Sequence, residues 1–264
     1  MLAEARNQPR MSTVELAARM PTSSPMELPD SEIIPLRRDP LLPPEPCPVR
    51  WRRSARARRI SLRIDAARGD VVVTLPTRAA RRQGLALLTE HAGWVMQKLG
   101  GLAPERPFTA GARVPIGGVE HVIQHDPSRR GGAFLENEAL VVTGEAQFTA
   151  RRVRDFLRSE ALRRIALAAG PHCEGLGVTP RAIRLKDTRS RWGSCAPDRT
   201  LAFSWRLILA PNWVLDYVVA HEVAHLREMN HSPRFWALVE QRSEHRHAAT
   251  AWLRLHGAAL QRMG

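Results

Sequence analysis

Three histidines and a glutamate in HEVAHLREMNH, residues 221 to 231, have types and spacing that could bind a metal ion and activate water. His221 and His225 are four residues apart, so on a helix their side chains lie one above the other on a single face. Zinc takes neutral imidazole nitrogens, and catalytic zinc sites keep three protein ligands and a fourth position for water. Glu222 could accept the proton of that water and later deliver it to a leaving group. The stretch therefore predicts a hydrolytic zinc site with Glu222 as general base.

The third metal ligand is expected to be His231, which follows His221 by ten residues. This is the spacing of the metzincin pattern H-E-x-x-H-x-x-G-x-x-H, in which the chain turns after the helix and returns the last imidazole to the metal. Glu228 occupies the usual glycine position, so we expect the helix to end near Asn230, because asparagine tolerates the left-handed conformation. Two later glutamates are the alternative third ligands, as in gluzincins: Glu240 and Glu244.

The segment PNWVLDYVVAHEVAHLREMN is expected to form the helix that carries the motif. Pro211 is well placed at its first position, because the ring of proline fixes a helical φ and the missing N–H is not needed there. Tyr217 lies one turn before His221. Its hydroxyl could stabilise an oxyanion, but the pattern favours a packing role in the core.

A small antiparallel sheet is predicted to pack against this helix, from the strand-like pieces RAIRLKD, RWGSC and TLAFSWRLI with a turn at APDR. An edge strand beside the metal helix could pair with extended substrate backbone and align the scissile carbonyl. Gly193 would permit close approach of the backbone. Ser194 or Arg191 could face the cleft and contact the substrate.

The first half of the chain predicts a β-rich subdomain followed by a helix. ISLRID and VVVTLP form a hairpin, a helical stretch ends at Gly100 and Gly101, and GARVPIGGVEHVIQH and GAFLENEALVVTG read as short strands. FTARRVRDFLRSEALRRIALAAG predicts an amphipathic helix that Gly170 and Pro171 close. The expected division is a Pro-rich, disordered or extended tail (1–49), a β-rich part (51–146), a catalytic part (147–242) and a C-terminal helix (243–264).

The composition of the chain indicates where the protein resides and which partners it could bind. No stretch approaches the roughly 20 apolar residues of a transmembrane helix, and MLAEARNQPR lacks the pattern of a secretory signal, so we expect a cytoplasmic protein. The formal charge of +14 comes almost wholly from arginines spread through the chain, which favours a solvated basic surface over a nucleic-acid face. The densest run, RWRRSARARR at 50 to 59, is the exception.

Three segments resemble the YgjP-like metallopeptidase domain family: RSRWGSC (189–195), LAFSWRLILAP (201–211) and LDYVVAHEVAHLREMNHSPRFW (215–236). The resemblance covers most of residues 51 to 242, and the segments after about 243 and before 50 fall outside it. The family is similar to the SprT and WLM groups. The resemblance implies an α+β, zincin-like fold in which a small antiparallel sheet packs on the H-E-x-x-H helix. It also implies that His221, His225 and His231 hold zinc and that Glu222 is the base.

Three functions are therefore in competition. The first is a zinc-dependent metallopeptidase that acts on a peptide or protein substrate. The second is an SprT- or WLM-like protease of the same chemistry that acts on DNA-bound or DNA-crosslinked proteins, with the arginine run as its support. The third is a non-catalytic module with a structural zinc, which is disfavoured because structural sites have four ligands, often cysteines, and no use for Glu222. The oligomeric state is open.

Overall fold

The computed structural model describes residues 29–39, 41–188 and 191–264 of the chain. It is an α+β protein, as predicted, with three small sheets and six α-helices in the described part. None of these helices is both long enough and apolar enough to cross a membrane.

The first sheet and two helices form the N-terminal lobe, residues 29–104. Its strands lie in the order β1-β2-β4-β3, and β3 and β4 form the predicted antiparallel hairpin. The helices cover one face and end at Gly100, as the glycine pair predicts, although His91 divides the expected single helix into two. The bounds are β1 (Ser31–Leu36), β2 (Glu45–Ser54), β3 (Ser61–Asp65), β4 (Asp70–Pro76), α1 (Arg81–Glu90) and α2 (Ala92–Gly100).

The prediction of a tail up to residue 49 is wrong where the structure describes it. Residues 31–36 form β1 and residues 45–54 form β2, and the two strands pair antiparallel from Ser31–Arg50 to Leu36–Glu45. Pro35 is tolerated because β1 is an edge strand, and Pro46 and Pro48 precede the part of β2, residues 49–54, that pairs with β4. The rest of the predicted tail, residues 1–28, lies outside the described residues.

The second sheet contains four strands in the order β5-β6-β8-β7, and its buried face rests on the following long helix. The bounds are β5 (Arg113–Ile116), β6 (Val119–Asp126), β7 (Ala133–Glu136), β8 (Ala139–Thr143) and α3 (Thr149–Leu176). The prediction that Gly170 and Pro171 close α3 is wrong, since the helix continues for five residues after the proline. It ends at Gly177, which has the left-handed φ of 59° that a helix C-terminus favours.

The third sheet carries the edge strand that was expected beside the metal helix. Its order is β10-β11-β9, with β10 at the edge. The prediction of an antiparallel sheet is wrong for one pair, because β9 runs parallel to β11. The bounds of the remaining elements are β9 (Ala182–Lys186), β10 (Gly193–Cys195), β11 (Thr200–Ser204), a 3-10 helix (Trp205–Leu209), α4 (Asn212–Ala224), α5 (Pro233–Arg242) and α6 (Arg246–Leu260).

Helix α4 lies in the middle of the larger of the two hydrophobic cores, between α3, α5, α6 and β10. Its apolar side chains are distributed around the whole helix, which is typical of a helix buried on all sides. Pro211 occupies the N-cap and not the predicted first helical position. The buried apolar residues of α4 include Val214, Leu215, Val218, Val219 and Val223.

A polar network on α3 connects that helix to the first turn of α4. Arg164 Nε donates to Glu160 Oε1 at 2.7 Å, and Arg164 Nη1 donates to Asn212 Oδ1 at 3.0 Å. Arg163 binds the same carboxylate at 2.6 and 2.7 Å. These hydrogen bonds, that of Arg163 first, lower the pKa of Glu160 to about 2 although burial opposes the shift.

Glu160→Gln is expected to reduce the free energy of unfolding by about 1 kcal/mol at pH 7, the value of a favourable surface ion-pair network. A carboxylate with a lowered folded-state pKa stabilises the protein above its unfolded value of 4.5, and this stabilisation is lost as the pH falls towards about 2. Urea unfolding from pH 7 to pH 3 should therefore show the difference between parent and variant shrinking below about pH 4.5. A difference independent of pH would contradict the ion-pair explanation.

Candidate metal centre

Two of the predicted ligands and the predicted base come from the C-terminal end of α4, where His221 and Glu222 lie in the last turn and His225 is the C-cap residue. His221 and His225 lie on one face, with ring centroids 5.1 Å apart, as their four-residue spacing requires. Both are largely surrounded by protein, and Glu222 between them is only 6% exposed. Because the helix is buried, little bulk water reaches these three side chains.

The chain turns back to the site earlier than the sequence predicts. Helix α4 ends at Ala224, and the backbone N–H groups of residues 226 and 227 donate to carbonyls three residues before them, which tightens the chain into a turn. Asn230 is not among the non-glycine residues with positive φ in the described chain, so it does not end the helix as expected. The reversal is complete at Ser232, which accepts the N–H of Phe235 and caps α5.

This turn brings His231 to the other two histidines. The candidate ligand atoms of His221, His225 and His231 all lie within 4.8 Å of one another. The Nε2 atoms of His221 and His231 are 3.2 Å apart. Two nitrogens bound to a tetrahedral zinc at 2.0 to 2.1 Å are separated by about 3.3 Å, so the observed spacing fits zinc.

The tautomer of His225 also fits a metal ligand. Its Nδ1 lies 3.0 Å from the carbonyl oxygen of Glu228, within the turn that follows α4. A proton on Nδ1 satisfies this carbonyl and leaves the lone pair on Nε2, which is the arrangement that orients metal-binding histidines. Phe235 stacks on the ring at a centroid distance of 4.3 Å and fixes its plane.

The alternative third ligands lie outside this cluster. Glu240 forms an ion pair with Arg246 on α6, and the side chain of Glu244 is 88% exposed. Neither belongs to a group of potential metal ligands in the described part of the chain. The geometry therefore favours His231 over both glutamates.

Burial sets the protonation of the candidate site. It lowers the pKa of His221 to about 4, with the neighbouring histidines and Arg246 adding to the effect, and it lowers the pKa of His225 as well. Both imidazoles are therefore neutral near pH 7, as metal ligands must be. Burial raises the pKa of Glu222 to about 7, although the charge of Arg191 opposes the shift. A carboxyl group with such a pKa can both accept and release a proton near neutral pH.

Strand β10 lies directly against the carboxylate of Glu222. A Cβ atom built on Gly193 would lie 2.4 Å from Glu222 Oε1 and 2.5 Å from its Cγ, so only glycine leaves room for this side chain. The cleft between β10 and the histidines has a volume of about 260 Å³. It is lined by Gly193, Ser194, Cys195, His221, Glu222, His225, Met229 and His231.

For the predicted hydrolytic zinc site, Gly193→Ala is expected to slow hydrolysis by about tenfold to a hundredfold without loss of bound zinc, because the three atoms nearest to the new methyl group all belong to Glu222. Casein hydrolysis and zinc content of the purified variant measure the two effects separately. Gly170→Ala is the matched control, because a Cβ there meets nothing within 4 Å, and it should leave both quantities unchanged. Undiminished hydrolysis by Gly193→Ala would contradict the assigned contact.

The sequence profile of the YgjP-like, metallopeptidase domain family matches residues 58–256. The chain belongs to this family. No curated protein and no solved structure matches the chain at a significant level. The family match continues into α6, so the prediction that the C-terminal helix after about residue 243 falls outside the resemblance is wrong.

The other residues that the sequence predicts near the substrate do not all line the cleft. Gly193 and Ser194 line the cleft, whereas Arg191 lines a different cavity of about 300 Å³, although its charge still acts on Glu222. Tyr217 is buried, and its hydroxyl lies 3.5 Å from Thr250 Oγ1 on α6. It does not line the cleft, so the structure supports the packing role.

The sequence did not lead us to predict that two aromatic side chains contact the imidazole rings. Phe235 and Trp236 begin α5 and contact the histidine rings, with centroid distances of 4.3 to 5.8 Å. Met229 lines the cleft mouth and is half exposed. The sequence signal for this contact was the aromatic pair that follows the helix start Ser-Pro-Arg, about one turn after His231.

Proposed function

We propose that this chain is a zinc-dependent metallopeptidase in which His221, His225 and His231 hold the metal and Glu222 is the general base. The observation that carries the proposal is the combination of three clustered imidazoles with a buried carboxylate at one cleft. When bound, the zinc supplies a Lewis acid that polarises a carbonyl group and makes a coordinated water more acidic.

Glu222 performs the proton transfers. Its carboxylate takes the proton from the attacking water, and its raised pKa allows the same group to give that proton to the leaving amine. The close contact with Gly193 holds the carboxylate in one position. Because the side chain is nearly buried, little bulk water competes for the proton.

Strand β10 is proposed to bind the substrate backbone. It is an edge strand of its sheet, so one row of its backbone N–H and C=O groups has no neighbouring strand in the described part of the chain. It borders the cleft along Gly193, Ser194 and Cys195. An extended peptide paired with this edge would pass beside Glu222 and the histidines. Such pairing binds the backbone of any peptide. A preference for particular substrate side chains would therefore come from the residues that line the cleft.

The geometry supports catalysis over a purely structural metal. Structural zinc sites are closed by four protein ligands, whereas the described residues bring three imidazoles to an open cleft. Glu222 is buried and forms no ion pair with any described residue, which costs stability, and a structural site gains nothing from that cost. The experiment that tests the proposal is casein hydrolysis by the parent and by Glu222→Gln, with zinc content measured in both.

A further inference from the structure

The arginine run that stood out in the sequence lies at one end of the N-terminal sheet, far along the chain from the metal centre. Strands β2 and β4 are parallel, with Ser54 opposite Pro76, so the segments that follow them leave the sheet at the same end. Arg53 Nη1 connects them by donating to the carbonyl oxygens of Thr77 and Ala79 at 2.8 and 3.0 Å. Both loops therefore present their side chains on one surface.

This end of the lobe carries exposed cations that no acidic side chain neutralises. The side chains of five exposed arginines form no ion pair or hydrogen bond with any described residue: Arg56, Arg58, Arg59, Arg78 and Arg82. Residues 29–104 contain fourteen basic and seven acidic residues, which accounts for half of the formal charge of +14. Four of the seven carboxylates already bind arginines elsewhere in the lobe, at Glu32, Glu45, Asp65 and Asp70.

An apolar groove begins where this basic surface ends. Its volume is about 430 Å³, and one of its lining residues, Ile60, directly follows Arg58 and Arg59 in the chain. Trp94 on α2 also lines the groove and is 44% exposed, although tryptophan is normally well buried. The groove is lined by Ile60, Ser61, Leu62, Leu87, His91 and Trp94.

The groove has rings that can stack and a second cation beyond them. His91 and Trp94 are three residues apart and therefore lie on one side of the chain at the start of α2, and both rings border the groove. Lys98 is exposed one turn further along the same face. The surface thus combines two arginines, an exposed indole ring and a lysine.

We propose that this surface, Arg58, Arg59, His91, Trp94 and Lys98, binds single-stranded nucleic acid. The ligand must combine a repeating negative charge with flat apolar rings, and unpaired nucleotides have both. Arginine binds phosphate with two parallel N–H groups, and aromatic side chains stack on bases without regard to sequence. A duplex hides its bases, and a run of acidic residues has charge but no rings to occupy the groove.

The site is separate from the proposed peptidase centre and does not depend on it. None of the five residues lines the cleft around Glu222. Binding would concentrate the enzyme on single-stranded nucleic acid and on proteins attached to it. Hydrolysis of free casein should therefore be unaffected by substitutions in this surface.

Binding of the purified full-length protein to a fluorescein-labelled single-stranded oligothymidine tests the proposal by fluorescence anisotropy. Trp94→Leu is expected to weaken binding by about tenfold or more, because it keeps an apolar side chain but removes the stacking ring. Trp94→Phe keeps a ring and should stay within about threefold of the parent. Equal affinities of the parent and Trp94→Leu would overturn the stacking role and with it the proposal.

The charge requirement has its own variant and a matched control. Arg58→Glu/Arg59→Glu should weaken binding by at least about tenfold and reduce the dependence of log Kd on log salt by about 1.4, or roughly 0.7 for each lost phosphate contact. Arg130→Glu/Arg254→Glu changes the net charge equally at exposed sites outside the lobe and should have a much smaller effect. Equal weakening by both pairs would mean a general effect of net charge and would overturn the proposed site.

Competitors distinguish the ligand class. Unlabelled single strand should displace the probe at a lower concentration than duplex DNA of the same length, poly-glutamate of the same charge, or vesicles containing phosphatidylserine. Displacement by any of these at the concentration of the single strand would overturn the assignment. Thermal unfolding and casein hydrolysis of each variant verify that it is folded, and Arg58 and Arg59 lie in an exposed loop where substitution should not impair folding.

Discussion

Glu222→Gln is expected to retain about one zinc per chain and to hydrolyse casein roughly 10²- to 10⁴-fold more slowly than the parent. The amide has the shape of the carboxylate, so it fits beside Gly193, but it cannot accept the proton of a water molecule. The three imidazoles are unchanged, so the metal should remain. Elemental analysis of the dialysed proteins and initial rates with labelled casein provide the two measurements.

Glu240→Gln is the matched control for this substitution. Glu240 lies on α5, near the site in sequence, but it binds Arg246 and does not belong to the histidine cluster. It should keep both zinc and activity. Activity that survives Glu222→Gln would exclude Glu222 as the base, and loss of zinc together with activity would assign it to metal binding instead.

His231→Ala is expected to weaken zinc binding by more than about a hundredfold, the upper end of what removal of an outer-shell partner costs. His221 and His225 would remain as two ligands on one helix, which do not complete a zinc site. Competition with a chromogenic chelator at fixed pH measures the affinity. Hydrolysis should be lost at zinc concentrations that saturate the parent and should partly return with excess zinc.

Glu244→Ala provides the comparison that tests the ligand choice. The side chain of Glu244 is almost fully exposed, so its removal should change neither zinc affinity nor stability measurably. The reverse pattern, with Glu244→Ala losing zinc and His231→Ala retaining it, would mean a gluzincin arrangement. It would require α5 and α6 to move relative to the structure described above.

Local signals in the sequence predicted the elements that depend on neighbouring residues. The β3–β4 hairpin followed from two alternating or β-branched runs around ARGD, and the end of α2 followed from Gly100 and Gly101. The α+β class and the family followed from the same kind of pattern, and both are confirmed. These predictions hold because residues close in the chain determine this hairpin and the end of α2.

The predictions that failed concern elements stabilised from a distance. Strand β1 forms because β2 pairs with it, which a proline-rich composition does not reveal. Helix α3 continues past Pro171 because later residues support its last turns: Arg242 donates to the Pro171 carbonyl at 2.9 Å, and His172 Nε2 lies 2.9 Å from Asp216 Oδ1 on α4. Such contacts offset the N–H that proline lacks.

The sequence by itself determined which groups could do chemistry, because His221, Glu222 and His225 share one turn of a helix and their relative positions follow from helical spacing. The tertiary structure decided the rest. It placed the turn at Ala224 rather than Asn230, since the carbonyl of Glu228 pairs with His225 in the folded chain. It also brought Gly193 against Glu222 through the pairing of β10 with β11, and contacts between segments so far apart in the chain depend on packing that spacing alone does not specify.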